Sequence, residues 1–181
     1  MTTARRNYSF DVGMLLDDGG AAHTAAGYST VGGLPVALDL GAAYLPNITI
    51  ALPSIANSPT LTIQQARIDL VAVIYISAIT ISGSDIYRLS MVGSNNIGFA
   101  SGNVVLGQMQ FGVGSAMDAP FAANSHAPAG SGNYPAGDQY ELMFTNEYQG
   151  VPLEFISMYV SGTFGSITFT SFISTLPRIG A

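Results

Sequence analysis

Apolar and polar residues alternate most regularly in the last third of this chain. In Gln139-Tyr140-Glu141-Leu142-Met143-Phe144, residues Tyr140, Leu142 and Phe144 fall on one face of an extended segment. A polar connection, Thr145 to Gly150, leads to a second run from Leu153 to Val160. Ser161-Gly162-Thr163-Phe164-Gly165 then turns the chain into a third, Ser166 to Ile173. Aromatic and β-branched residues at period two, bounded by glycine-containing turns, are the pattern of antiparallel strands.

The pattern recurs upstream. Short runs at Pro35 to Leu40, Asn47 to Leu52 and Thr60 to Ile63 precede the densest β-branched stretch, Arg67 to Thr80. That stretch is apolar on both faces around Val71 to Ile76, which predicts a central strand covered on both sides. Ser82-Gly83-Ser84-Asp85 turns the chain into Ile86 to Val92, Gly93-Ser94-Asn95-Asn96 marks another turn, and Gly102-Asn103 opens Val104 to Phe111. No window sustains a 3.6-residue spacing; Gln64-Gln65-Ala66-Arg67 admits one helical turn at most. About eight to ten turn-bounded strands without a fixed-period repeat predict an all-β, antiparallel sandwich or barrel. The predicted core is Leu70, Ile74, Leu89, Leu142, Phe144, Phe155, Tyr159, Ile167 and Phe169.

Two segments depart from the alternation. Residues 1–35, with Asp17-Asp18-Gly19-Gly20-Ala21-Ala22-His23 at their centre, hold too little apolar area to offset the entropy of ordering by themselves. They read as an extended N-terminal arm ahead of a domain spanning 36–181. The arm is either a frayed terminus or a segment ordered on a neighbouring subunit, and Tyr8, Phe10, Met14, Leu15 and Leu16 favour docking. Gly112 to Gly137 is a long Gly/Ala/Ser/Pro-rich loop with Met117, Phe121 and Tyr134 as isolated apolar anchors. Loops beyond about 12–15 residues are usually functional or disordered, and Pro120, Pro128 and Pro135 reduce what ordering this one on a partner would cost.

Composition narrows the function. Of 181 residues 48% are hydrophobic and only 9% charged, against about 25% charged in a typical domain. A surface so poor in charge is suited to coverage by partners, itself included. The basic residues are five arginines, Arg5, Arg6, Arg67, Arg88 and Arg178, scattered against 11 acids for a net charge of -6. Phosphate neutralisation needs clustered cations, so nucleic acid is not an expected partner. Cysteine is absent, which removes disulfides, thiolate nucleophiles and Cys-ligated zinc. The longest apolar run, Leu70 to Ile76, is far short of the ~18 residues of a spanning helix. Arg5-Arg6 lacks the apolar stretch of an export signal after it, so no membrane partner is expected and synthesis is expected in the cytoplasm.

Candidate chemistry is thin. His23 and His126 lie in the Gly/Ala-rich segments with no carboxylate or second His at ligand spacing, and are expected to be solvated. Asp17-Asp18-Gly19-Gly20 offers carboxylates without the D-x-[DN]-x-[DN]-G spacing of a calcium loop, and reads as a polar turn. No nucleophile elbow or phosphate cradle is present. Neither catalysis nor a cofactor is expected.

Three phrases, Tyr140-Glu141-Leu142-Met143-Phe144-Thr145-Asn146-Glu147, Phe155-Ile156-Ser157-Met158-Tyr159-Val160-Ser161-Gly162-Thr163 and Gly165-Ser166-Ile167-Thr168-Phe169-Thr170-Ser171-Phe172-Ile173, resemble the C-terminal strands of the jelly-roll cement (decoration) proteins of tailed bacteriophages. Leu38-Asp39-Leu40-Gly41, Ser82 to Leu89 and Val104-Val105-Leu106-Gly107 fall where that family has similar phrases, so the likeness spans about positions 36 to 175. Ser157 departs from it, standing where many relatives carry a basic residue. The resemblance implies an antiparallel jelly-roll sandwich, to which the composition adds the extended N-terminal arm and a Gly112 to Gly137 loop longer than the family's. It implies a virion structural protein on the capsid exterior that binds the major capsid protein and stabilises contacts between its subunits. The candidate attachment residues are Arg5, Arg6, Tyr8, Phe10, Met14, Leu15 and Leu16 of the arm, and Met117, Phe121 and Tyr134 of the loop. A carbohydrate- or receptor-binding jelly-roll module of a virion is the alternative.

Overall fold

The computed structural model describes residues 11–40, 67–81, 83–112, 125–126, 138–163 and 165–175. The expected runs at Asn47 to Leu52 and Thr60 to Ile63, all but Arg67 of the Gln64 to Arg67 helical turn and nearly all of the Gly112 to Gly137 loop lie outside them. Two antiparallel sheets pack face to face, making an all-β sandwich. The first is ordered β1 (Leu15–Asp18), β14 (Ser166–Thr175), β6 (Asp69–Thr80) and β10 (Asp138–Thr145). The second is ordered β2 (Gly27–Tyr28), β13 (Phe155–Thr163), β7 (Ile86–Ser94), β8 (Val104–Gly112) and β9 (Ser125–His126), and β5 (Leu38–Asp39) shares the β13 edge with β2. Two small hairpins, β3 (Thr30–Val31) with β4 (Leu34–Pro35) and β11 (Glu147–Tyr148) with β12 (Val151–Pro152), project from the connections. In the second hairpin Gln149 and Gly150 both have positive φ, the backbone that a two-residue turn between twisted strands demands. A 3₁₀ turn at Val12–Met14, capped by the Asp11 carboxylate on the Gly13 N–H at 2.8 Å, precedes β1.

β6 is the central strand that its composition predicts. Leu70, Ala72, Ile74 and Ile76 enter the core, while Val71 and Val73 are buried on the opposite register. The inward phase then changes to Ile79 and Ile81. A bulge causes this: the pairing with β14 goes from Ile76↔Phe169 to Ala78↔Thr168, skipping Ser77, whose hydroxyl donates to the Thr168 carbonyl at 3.0 Å. Along β10, Tyr140, Leu142 and Phe144 turn inward as the alternation predicts, and the Tyr140 ring meets Phe111 of the other sheet edge-on at 4.8 Å. Burial, and then the Asp138 carboxylate accepting from its hydroxyl at 3.3 Å, push the Tyr140 pKa up to about 12.

Two core assignments need correction. β13 buries Ile156, Met158 and Val160, whereas Phe155 and Tyr159 lie on the opposite register and are only half-buried. Both phases of Phe-Ile-Ser-Met-Tyr-Val carry apolar residues, so alternation alone leaves the phase open; pairing with β7 settles it, placing Met158 beside Met91 and Val160 beside Leu89. The remaining predicted core residues, Leu70, Ile74, Leu89, Leu142, Phe144, Ile167 and Phe169, are buried.

The start of β7 is held between two glycines. Gly162 of β13 and Gly112 of β8 have φ of 136° and 138°, and a Cβ on them would sit 1.9 Å from the Ile86 carbonyl oxygen and 2.2 Å from the Asp85 carbonyl oxygen. Both obstacles are backbone, so neither yields by a rotamer change. Gly162→Ala is expected to destabilise by about 2–3 kcal/mol, the cost of one disallowed backbone conformation plus overpacking. A thermal melt within the scatter of the parent protein would show that β7 and β13 do not approach this closely.

Candidate functional site

The segment from Asp11 to Leu40 does not form an arm lying apart from the domain, as its composition suggests. β1 runs along β14 in the register Leu15↔Phe172, Asp17↔Ser171 and Asp18↔Thr170, with Leu16 as the extra residue of a bulge. Leu16 is 0% exposed within the chain's own core, Met14 packs against that core and Leu15 is half-buried. Leu16 is therefore not a surface for a neighbouring subunit. Sheet pairing supplies the stabilisation that the segment lacks in isolation. The chain then crosses to the second sheet, where Tyr28 pairs Tyr159 and Leu38 pairs Ile156, with the β3–β4 hairpin looping out between them.

A buried polar clasp makes this crossing. The Asp17 carboxylate, 1% exposed, accepts from Gly19 N–H at 2.9 Å through Oδ1 and from Thr30 N–H at 3.1 Å through Oδ2. His23 Nε2 lies 2.8 Å from the same Oδ2, with 10% of its side chain exposed. The His23 backbone bonds Ile167 in both directions, at 2.8 and 3.1 Å, and its ring stacks on Phe169 at 5.2 Å. His23 is thus fixed inside the sandwich edge, not solvated as its Gly/Ala-rich surroundings predict. Asp18 is exposed and accepts from Gly32 N–H at 2.7 Å and Gly20 N–H at 2.9 Å, which hold its carboxyl below the usual range. Main-chain N–H groups, together with His23, occupy the oxygens of both carboxylates, and among the described residues no three His, Asp or Glu side chains stand where they could hold a metal. His126 lies on β9, paired in parallel with Phe111 of β8.

Ser157 is fully buried and its hydroxyl donates to the Val36 carbonyl at 2.6 Å.

Beside the crossing, on the outward side of the second sheet, lies an open depression of about 390 Å³ lined by Tyr28, Val92, Asn103, Val104, Val105 and Tyr159. The rings of Tyr28 and Tyr159 meet edge-on at 4.9 Å, and Phe99 packs against Tyr28 at 5.2 Å. Phe99 holds a left-handed backbone (φ 49°), secured by its N–H on the Asn96 carbonyl at 2.9 Å and by Asn103 Nδ2 on its own carbonyl at 2.7 Å. Asn103 Nδ2 also reaches the Tyr28 hydroxyl at 3.4 Å. Burial, and then the neighbouring Tyr159, raise the pKa of Tyr28 above the ordinary tyrosine value. Sequence reading misses this group because it assigns Tyr159 to the core and takes Gly102-Asn103 only as the start of the run to Phe111. Only the sheet register joins Tyr28 to Tyr159.

A third feature is the end of the sandwich formed by the β7–β8 loop and the β11–β12 hairpin, tied together by Asn95, which accepts from Glu154 N–H at 2.9 Å. Ile97, Val151 and Tyr148 are 65%, 53% and 45% exposed there. Of the other predicted attachment residues, Arg5, Arg6, Tyr8, Phe10, Met117, Phe121 and Tyr134 lie outside the described residues. No protein-family model matches this chain, and neither curated proteins nor solved structures match it.

Proposed function

We propose that this protein is a virion structural protein, a jelly-roll decoration or cement protein on the outside of a tailed-phage head that binds major capsid subunits and copies of itself. The observation that carries the reading is strand order. Counted along the described residues, the eight principal strands are β1, β2 with β5, β6, β7, β8, β10, β13 and β14; they lie 1-8-3-6 in one sheet and 2-7-4-5 in the other. This order supports two nested Greek keys, the jelly roll used by viral capsid and lectin domains. Fold alone does not name a function; the resemblance of the C-terminal strands to phage cement proteins narrows the class.

The physical role follows from assembly. A pressurised shell fails where adjacent subunits part, and a protein bridging them adds its binding energy against separation, with several modest contacts acting together. A chain with only 9% charged residues suits such coverage. Ile97, Tyr148 and Val151 offer apolar area at one end of the sandwich, and Arg5, Arg6, Tyr8, Phe10, Met117, Phe121 and Tyr134 are the further proposed contacts.

The test is to mix the purified protein with undecorated shells of a major capsid protein from the same genome, then sediment and heat them. Saturable co-sedimentation and a higher disruption temperature are expected. The double variant Ile97→Asp with Val151→Asp is expected to bind at least about tenfold more weakly while melting as the parent does. Absence of co-sedimentation would overturn the cement reading; unchanged binding by the double variant would remove this end from the contact.

A further inference from the structure

We propose that the Tyr28–Asn103–Tyr159 depression binds one neutral pyranose unit of a glycan. This goes beyond attachment to a shell and does not depend on it. The site combines what an uncharged sugar ring requires and little that another small ligand would. A pyranose has an apolar C–H face and a rim of hydroxyls that both donate and accept. Val92, Val104 and Val105 provide an aliphatic floor and wall, and two tyrosines provide amphipathic edges, apolar along the ring and polar at the tip.

The polar groups at the rim are two phenol hydroxyls and the Asn103 amide, all neutral, and each hydroxyl can act in both directions. Asn103 uses Nδ2 on the Phe99 carbonyl and the Tyr28 hydroxyl, which orients its side chain while leaving Oδ1 facing no described donor. None of the six lining side chains is charged, so nothing compensates a carboxylate or phosphate on the ligand. A volume of about 390 Å³ falls at the small end of ligand sites, which begin near roughly 300 Å³. The depression is open, so a sugar within a polymer can enter with its neighbours projecting into solvent. Rigidity favours binding as well: the left-handed Phe99 turn, its two hydrogen bonds and the packed Tyr28 ring fix the rim before a ligand arrives.

The experiment is a titration of the isotope-labelled full chain, followed by NMR, with the methyl glycosides of glucose, galactose and N-acetylglucosamine, and with glucuronate and glucose 6-phosphate as charged counterparts. At least one neutral glycoside is expected to shift the Asn103 side-chain amide and the Tyr28 and Tyr159 ring signals saturably, in the millimolar range usual for a small, open site. Asn103→Ala and Tyr159→Phe, both at solvent-facing positions, are each expected to weaken that binding about five- to tenfold, the effect of one lost hydrogen bond. The proposal is overturned if no neutral sugar shifts these signals, if the charged sugars bind as well, or if both variants bind like the parent. Capsid co-sedimentation by the same variants distinguishes failure of this site from failure of the cement reading, since neither substitution touches Ile97, Tyr148 or Val151.

Discussion

Phe169→Ala is expected to cost about 3–5 kcal/mol of folding stability, as truncation of a fully buried aromatic does when the cavity cannot collapse. Phe169 is 0% exposed and lies on β14, between β1 and the central strand β6. Its neighbours are sheet residues held on both sides by backbone pairing, with Ile76 directly across the ladder, so they have little freedom to fill the space. The ring is also the platform on which His23 stacks, and its loss loosens the crossing between the two sheets. Denaturant unfolding checks this. A loss below about half a kcal/mol, the level of a surface substitution, would contradict the placement of β14 in the core.

Asp17→Ala is expected to cost a comparable amount, about 3–5 kcal/mol, because it leaves buried partners uncompensated. Three donors lose their acceptor at once: the N–H groups of Gly19 and Thr30, and His23 Nε2. Hydrogen exchange localises the effect, with faster exchange expected at the Thr30 and Ile167 amides than elsewhere in the sheets. The result also separates two pictures of the N-terminal segment. For a free arm, Asp17 is a solvated carboxylate and its removal changes stability by less than about half a kcal/mol.

The strands that period-two alternation predicts within the described residues are present, because sheet burial writes itself directly into residue spacing. Gln139 to Phe144 shows this best: one face is apolar, one is mixed, and Leu142 and Phe144 are buried. Where both phases are apolar the pattern fails, as at Phe155 to Val160, since the decision rests with the neighbouring strand. Bulges are equally silent; the phase change at Ser77 follows from pairing with a strand far along the chain. The N-terminal segment misleads for a related reason. Composition measures what residues 11–40 bury alone, and Leu16, Asp17 and His23 are ordered by β14 instead. The Tyr28–Tyr159 group is a product of register alone. The strand order, from which the functional proposal argues, is likewise a property of the folded chain.

The proposed cement role is tested most directly by a reconstruction, by electron cryomicroscopy, of mature heads of a phage whose genome carries this chain. The account predicts two-sheet jelly-roll density outside the shell, bridging adjacent major capsid subunits, with Ile97 and Val151 at the contact. Heads at full genome content that lack this chain, or that carry it only on the inner surface, would contradict it.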